Sequence, residues 1–324
     1  MSDYNDTAFT GMGVNVLDFI NSNLSKFGGG EYVPHSFIKA SNAANEDYLG
    51  RRVELSDDGL TMVVAAAYDN AMTSKLYVYR RINGYWQEVT ILQDGTLVAD
   101  YSYGVALSAD GRRVVTATYD TIKTYEVAIS NGQPDWFNWS QVGTQAHTFA
   151  DKLLSANLSG NGNTLVLGEY RYGSYDGRIV IYQYNGSNWI ERNQFIGTGR
   201  MGQINTVAIS YDGSTIVAGE PHDSHIDVFT LDGSGTNWIL TQSDLNAGRG
   251  GYEGFSVSLN SDGTRLAAGS RTAVDIYDYN GSQWVYIQTL LSTNSSFDAF
   301  GSGVRLSSDG NELCSICMVS AKYL

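Results

Sequence analysis

Ser56-Asp57-Asp58-Gly59, between the apolar residues Leu55 and Met62, is the stretch of sequence that decides the fold. The phrase Ser-x-Asp-Gly returns five more times, with asparagine replacing its serine or its aspartate in two copies. The later copies occupy residues 108–111, 159–162, 210–213, 260–263 and 307–310. The repeat period is therefore about fifty residues, which is typical of an architecture built from stacked units.

The residues around each phrase predict a β-hairpin. Apolar side chains stand three and five positions before the aspartate, as Leu55 and Val53 do. Residues two apart lie on one face of a strand. Aspartate followed by glycine between apolar runs favours a tight turn, because glycine readily adopts positive φ. The second strand ends in a small residue in five copies, which would let neighbouring sheets approach closely.

Two further strands complete each unit. A third apolar strand, such as Leu76-Tyr77-Val78-Tyr79, leads through a polar turn to a fourth strand that opens with tryptophan. The tryptophans at this position are Trp86, Trp139, Trp189, Trp238 and Trp284. Four short antiparallel strands repeated around an axis predict a β-propeller.

The two ends of the chain indicate how the ring closes. The sixth unit stops at Tyr323-Leu324, within its third strand. Residues 31–40 align with the fourth strand of a unit, and they precede the first complete one. Because an open propeller would expose strand edges, we expect this N-terminal strand to complete the last blade. The prediction is an all-β, six-bladed propeller of four-stranded antiparallel blades at residues 31–324, with an extension at residues 1–30.

The extension has the pattern of a short amphipathic helix. Val16, Ile20, Leu24 and Phe27 recur at helical spacing, and three glycines at residues 28–30 end the pattern. One interpretation is a tether whose apolar face anchors the chain to a partner protein. The other is a segment that folds back over one mouth of the propeller channel.

Composition excludes several classes of function. The formal net charge is −14, and such an acidic chain lacks the basic patches that nucleic-acid binding needs. No stretch is long and apolar enough to span a membrane, and the first residues lack a secretory signal. We therefore expect a virion or cytoplasmic location. Cys314 and Cys317 are interpreted as core thiols, and neither a metal nor a cofactor is expected.

Two histidines form a candidate site. His222 and His225 flank an aspartate in the connection between the second and third strands of the fourth unit. Two imidazoles and a carboxylate can bind a metal or exchange protons. An ordinary surface loop explains them equally well.

The segment 169–178 is a second candidate, for ligand or partner binding. It combines three tyrosines with two arginines, residue types that are enriched in recognition surfaces. Its candidate binding residues are Tyr170, Arg171, Tyr172, Tyr175 and Arg178. Tyrosine is common throughout this chain, however, and many tyrosines must belong to strands.

The repeat resembles a known group of sequences. The segments DYLGRRVELSDDG at residues 47–59 and DAFGSGVRLSSDG at residues 298–310 are similar to FG-GAP-like propeller repeats of marine algae and their large DNA viruses. The phrase also resembles WD40-like repeats. The D-x-D-x-D-G calcium loop of integrin-type repeats is absent, so the resemblance implies no calcium. It implies a non-enzymatic propeller that contacts other proteins.

Three functions are considered on this basis. The first is a minor, capsid-associated virion protein, anchored to capsid proteins by residues 1–30. The second is a propeller that binds a glycan or another small ligand through residues 169–178 and 220–225. The third is a propeller hydrolase whose channel-mouth carboxylates come from distant blades, beyond the reach of local motifs.

Overall fold

The computed structural model describes ten segments of the chain, together with residues 38, 40 and 41. The segments are 49–69, 73–93, 104–117, 121–147, 152–172, 176–196, 206–221, 224–246, 253–291 and 300–316. Every strand described below belongs to a unit that spans Ala40–Leu324. The predicted helix with Val16, Ile20, Leu24 and Phe27 lies outside the described residues. So does the predicted closing strand, apart from Ile38 and Ala40, and both stay predictions.

The described residues form 22 strands. The first three sheets contain β1 Leu49–Leu55, β2 Thr61–Asp69, β3 Thr73–Ile82, β4 Tyr85–Gln93; β5 Gly104–Leu107, β6 Arg113–Ala117, β7 Thr121–Ser130, β8 Gln133–Ala146; β9 Lys152–Leu158, β10 Thr164–Tyr172, β11 Asp176–Tyr184, β12 Trp189–Ile196. The remaining sheets contain β13 Thr206–Ile209, β14 Thr215–Glu220, β15 His225–Leu231, β16 Trp238–Leu245; β17 Ser256–Leu259, β18 Arg265–Gly269, β19 Ala273–Tyr279, β20 Trp284–Leu291; β21 Gly303–Leu306, β22 Leu313–Ile316.

Each sheet is built from strands that are consecutive in sequence. Five sheets have four strands in chain order, and the described part of the sixth has two. All neighbouring strands pair antiparallel, so hairpins alone connect the strands within each sheet. The predicted all-β fold of repeated four-stranded antiparallel blades is confirmed.

The Ser-x-Asp-Gly phrase is the turn between the first two strands of each sheet. Ser56 Oγ donates a hydrogen bond to Asp58 Oδ1 at 2.5 Å, and the backbone N–H of Thr61 donates to Ser56 Oγ at 2.9 Å. Asp58 Oδ1 also accepts the backbone N–H of Leu60. Gly59 has a φ of 65°, a conformation that glycine adopts without steric cost. The predicted hairpin is therefore confirmed in atomic detail.

These turns are also bonded to one another. The residue after the serine donates its backbone N–H to the same position of the next sheet: Asp57 to Ala109 at 2.9 Å, and Ala109 to Gly160 at 3.0 Å. From the third sheet to the fourth the donor is the next residue, Asn161, which bonds to Tyr211 at 3.2 Å. The series continues from Tyr211 to Ser261 at 2.8 Å and from Ser261 to Ser308 at 2.9 Å. A chain of backbone hydrogen bonds thus runs from sheet to sheet along the turns.

The innermost strands surround a common cavity of about 440 Å³. It is lined by residues of β1, β5, β9, β13, β17 and β21. The residue three positions before the aspartate faces it in every sheet, and these residues are Leu55, Leu107, Leu158, Ile209, Leu259 and Leu306. Their exposure differs, since Leu55 is 54% exposed and Leu158 is 6% exposed.

The hydrophobic core lies between adjacent sheets. Leu76 and Val78 of the first sheet, for example, pack with Val105 and Val114 of the second. Burial of one such side chain contributes about 1.5–3 kcal/mol. A Cβ added to Gly269 would lie 2.9 Å from the backbone carbonyl carbon of Gly301, which precedes the first strand of the sixth sheet. Small residues at the end of the second strand do let sheets approach closely, as the sequence predicts.

An ion pair joins the first and sixth sheets. Arg305 Nη2 lies 3.3 Å from Glu54 Oε2, which joins the sixth sheet to the first across 251 residues of sequence. Cys314 is exposed, so its interpretation as a core thiol is wrong, whereas Cys317 lies outside the described residues and its interpretation stays a prediction. It lies in β22, the outer of the two strands described for the sixth sheet. The part of the chain that the structure describes contains no helix suited to crossing a membrane.

Candidate functional site

Three side chains with metal-binding and proton-transfer chemistry meet in the fourth sheet. Glu220 ends β14, His225 begins β15, and the two residues pair directly across the hairpin. Asp227 follows two positions after His225, so both lie on one face of the strand. The intervening Ile226 is fully buried in the core between the fourth and fifth sheets. The alternation of β15 therefore places all three polar groups together.

The distances within this group, the Glu220 cluster, are short. Glu220 Oε2 lies 3.1 Å from His225 Nε2. One ligand atom from each of Glu220, His225 and Asp227 lies within 4.8 Å of the others. Glu220 is only 2% exposed, whereas His225 and Asp227 are half-buried. Glu220 thus forms the buried part of the cluster, and solvent can reach the cluster from the side of His225 and Asp227.

Charge and burial shift the protonation of these groups. Interaction with the Glu220 carboxylate raises the pKa of His225 against the opposing effect of its partial burial. Burial raises the pKa of Asp227, and the nearby Glu220 carboxylate adds to that effect. Perturbed titration of this kind is common at functional sites.

The third sheet has a different arrangement at the same position. Glu169, which pairs with Arg178 across β10 and β11, is fully buried. Arg178 holds it with two hydrogen bonds, Nε to Oε2 at 2.7 Å and Nη2 to Oε1 at 3.0 Å. His147 Nε2 lies 2.9 Å from Glu169 Oε1, and His147 Nδ1 contacts the Tyr182 hydroxyl. This network joins the end of the second sheet to the third and neutralises the carboxylate.

The structure separates the residues that the sequence groups as candidates. His225 belongs to the Glu220 cluster, whereas His222 lies outside the described residues, as does Tyr175. Arg178 is buried in the network with Glu169. Tyr170, Arg171 and Tyr172 form the end of β10, and only their backbone is described. The proposed binding role of these residues stays a prediction.

Sequence reasoning included Glu220 in the candidate segment 220–225 without assigning it a role, and it missed Asp227. A signal for both was present, because the apolar run Ile216–Gly219 marks the end of the second strand immediately before Glu220. His225, Ile226 and Asp227 then alternate polar, apolar and polar, as on a strand with one solvated face. The grouping required the hairpin register, which brings Glu220 opposite His225.

Comparisons with known proteins identify the fold but no family. No protein-family model matches the chain, and no curated protein sequence matches it. Similar solved structures include a functionally unknown protein from Desulfotomaculum acetoxidans, with a TM-score of 0.61, 13% identity, and coverage of 83% of this chain and 79% of that one.

Two other similar structures carry the names of enzymes. The periplasmic gluconolactonase PpgL of Pseudomonas aeruginosa gives a TM-score of 0.58 at 18% identity, covering 87% of this chain and 80% of the enzyme. An inferred 6-phosphogluconolactonase from Bacteroides uniformis gives 0.51 at 16% identity, covering 74% of this chain and 70% of that one. At these identities the similarity establishes the propeller-like fold.

These comparisons correct the leading functional expectation. Of the three structures, the two with a named activity bear the names of lactonases, and the third is functionally unknown. The expectation of a non-enzymatic, capsid-associated structural protein is therefore wrong. It was based on a sequence resemblance and on the anchor pattern of residues 1–30, neither of which carries information about the chemistry of a site.

Proposed function

We propose that the protein is a hydrolase of small lactones or related esters, and that the Glu220 cluster is its reaction centre. The observation that carries the proposal is the convergence of a buried carboxylate, an imidazole and a second carboxylate within 4.8 Å. The opening of this group to solvent on the side of His225 and Asp227 gives a substrate access.

The chemistry of ester hydrolysis matches these groups. A water molecule must lose a proton as it attacks the carbonyl carbon, and the ring oxygen of the lactone must gain one as the C–O bond breaks. Polar side chains that hold this water and assist its deprotonation contribute about 10²–10⁴-fold to the rate. The buried Glu220 holds His225 in place, while Asp227 adds negative charge on the solvent side.

The fold supports the same class of reaction. Propeller-like structures that bear the names gluconolactonase and 6-phosphogluconolactonase align with most of this chain. Fold similarity alone does not assign an activity, so the proposal depends on the cluster. The resemblance to FG-GAP-like repeats is retained only as a proposal about the origin of the repeat, supported by the Ser-x-Asp-Gly phrase.

Hydrolysis of glucono-δ-lactone and of simple aromatic esters tests the proposal. We expect the wild-type protein to exceed the spontaneous rate, and His225→Ala and Asp227→Asn to reduce kcat/KM by at least about 100-fold. Asp232→Asn is the matched control, because Asp232 follows the opposite end of β15 and an amide oxygen can accept its hydrogen bonds from Ser234. Equal activity in His225→Ala and the control would contradict the assignment.

A further inference from the structure

The Glu220 cluster contains an arrangement that proton transfer alone does not explain. We infer that Glu220, His225 and Asp227 bind a single divalent transition-metal ion, of which Zn²⁺ is the representative. This inference rests on the proposed function only for the role of the ion. Binding itself follows from the geometry, and it departs from the sequence-based expectation that the chain holds no metal.

The first argument is a buried oxygen without a hydrogen bond. Glu220 Oε2 is inaccessible to solvent and accepts no hydrogen bond from any residue in the described part of the chain. His225 Nε2 lies 3.1 Å away, and it forms an ion pair with this oxygen only when the imidazole is protonated. A buried carboxylate oxygen in this condition costs about 1–3 kcal/mol or more. A cation between Glu220 Oε2 and His225 Nε2 would accept a lone pair from each of these two atoms.

The second argument is the balance of charge. In the third sheet Glu169, at the position equivalent to Glu220, is held by the guanidinium of Arg178. In the fourth sheet that arginine is replaced by His225, and a second acid, Asp227, is added. Asp244 lies nearby, with its backbone N–H 3.3 Å from Asp227 Oδ1. No described lysine or arginine forms an ion pair with Glu220, Asp227 or Asp244.

The third argument is the spacing of the ligand atoms. Zinc binds nitrogen and oxygen ligands at about 2.0–2.2 Å, so adjacent ligand atoms in a tetrahedral site are about 3.3 Å apart. The Oε2–Nε2 distance of 3.1 Å is close to this value, and Asp227 lies within 4.8 Å of both. A rotation of the half-buried Asp227 side chain would complete three ligands.

A site with three protein ligands leaves a position for water. One imidazole with two carboxylates is a ligand set that suits Zn²⁺, Mn²⁺ and Fe²⁺ better than Ca²⁺, which prefers six to eight oxygens. A bound Zn²⁺ would lower the pKa of this water toward neutrality and so supply a nucleophile for attack on the lactone carbonyl. The open side of the cluster, toward His225 and Asp227, is where that water would meet a substrate.

Zinc binding is measured directly, without a substrate. Full-length protein is stripped with a chelator, dialysed against Zn²⁺ and analysed for bound metal. We expect about one equivalent for wild type and for Asp232→Asn, which loses the same charge elsewhere in this sheet. His225→Ala and Asp227→Asn are expected to weaken binding at least 100-fold. Two variants are needed in case one fails to fold, which circular dichroism reveals.

The outcomes separate this inference from the proposed function. Stoichiometric zinc that disappears in the cluster variants, but remains in the control, supports the metal site even if no lactone is hydrolysed. Equal zinc in wild type and both folded cluster variants overturns it. Lactone hydrolysis that persists in chelator-stripped protein containing no zinc overturns the catalytic role of the ion, while leaving both the binding site and the hydrolase proposal standing.

Discussion

Gly269 illustrates how single residues set the distance between neighbouring sheets. It ends β18, and a Cβ there would lie 2.9 Å from the carbonyl carbon of Gly301 and closer still to its oxygen. Its φ is not in the left-handed region, so its requirement for glycine is one of space. The contact is with backbone, which cannot turn aside as a side chain would.

Gly269→Ala should therefore be strongly destabilising. Overpacking against a rigid backbone costs about 1–3 kcal/mol, and we expect a loss near the upper end of this range. Gly233→Ala is the matched control, because Gly233 has no atoms within 4 Å of the added Cβ and no positive φ. Denaturant unfolding measures both variants. A loss of less than about 0.5 kcal/mol in Gly269→Ala would show that the sheets can separate freely.

At the scale of the element, the Ser-x-Asp-Gly turn is a hydrogen-bonded unit in which the aspartate side chain is the central acceptor. Asp212 accepts bonds from Ser210 Oγ at 2.7 Å and from the backbone N–H of Ser214 at 2.9 Å. Asn161 makes the same two kinds of contact through its amide oxygen, at 2.8 Å and 2.9 Å. The turn thus needs an acceptor, and it does not need a charge.

Asp212→Asn and Asp212→Ala should therefore differ. The alanine variant loses the acceptor and should lose about 1–2 kcal/mol at pH 7, whereas the asparagine variant should lose less than half of that. Although partial burial opposes it, hydrogen bonding by Ser214 and Ser210 lowers the pKa of Asp212 below 3.8. The charged form consequently contributes stability above about pH 4, which is lost as the pH falls below that value.

Unfolding in denaturant at pH 7 and at about pH 3 checks this prediction. Wild type should lose more stability on acidification than Asp212→Asn, because only wild type must protonate this turn. Hydrogen bonding by Ser307 lowers the pKa of Asp309 to about 2, so the remaining turns will keep part of the acid dependence in both proteins. Identical acid sensitivity of the two proteins would contradict the role of Asp212.

At the scale of the whole molecule, the first and sixth sheets are in contact although they are far apart in sequence. The chain of backbone hydrogen bonds runs from Asp57 to Ser308 through the intervening turns. The Glu54–Arg305 ion pair joins the first and sixth sheets directly. Arg305 is exposed whereas Glu54 is half-buried, and ion pairs with an exposed partner contribute about 0–1 kcal/mol. The contact between these two sheets must therefore depend on further packing.

Truncation tests whether residues 31–40 supply that packing. Deletion of residues 1–30 should leave the free energy of unfolding within about 0.5 kcal/mol of wild type, since the predicted closing strand is retained. Deletion of residues 1–41 should lower it by at least about 2 kcal/mol, because a strand of the ring and the bonds from Ser41 to Glu88 are lost. Equal stability of the two truncated proteins would exclude the closing strand.

The sequence by itself determined the repeat, the hairpin turns, the strand order and the all-β fold. These depend on contacts between residues close in sequence, which periodicity and turn chemistry report directly. The small residue that ends the second strand could also be interpreted in advance. The exposure of Cys314 could not be predicted from the sequence, since it depends on which strands cover β22.

Only the tertiary structure decided where chemistry is concentrated. His225 was recognisable as a candidate, but Glu220 became its partner through the register of β14 and β15. Arg178 was equally recognisable, and the pairing of β10 with β11 buried it against Glu169 instead. A periodic pattern specifies a scaffold, whereas the charge left unbalanced in one sheet depends on distances and burial that no local pattern contains.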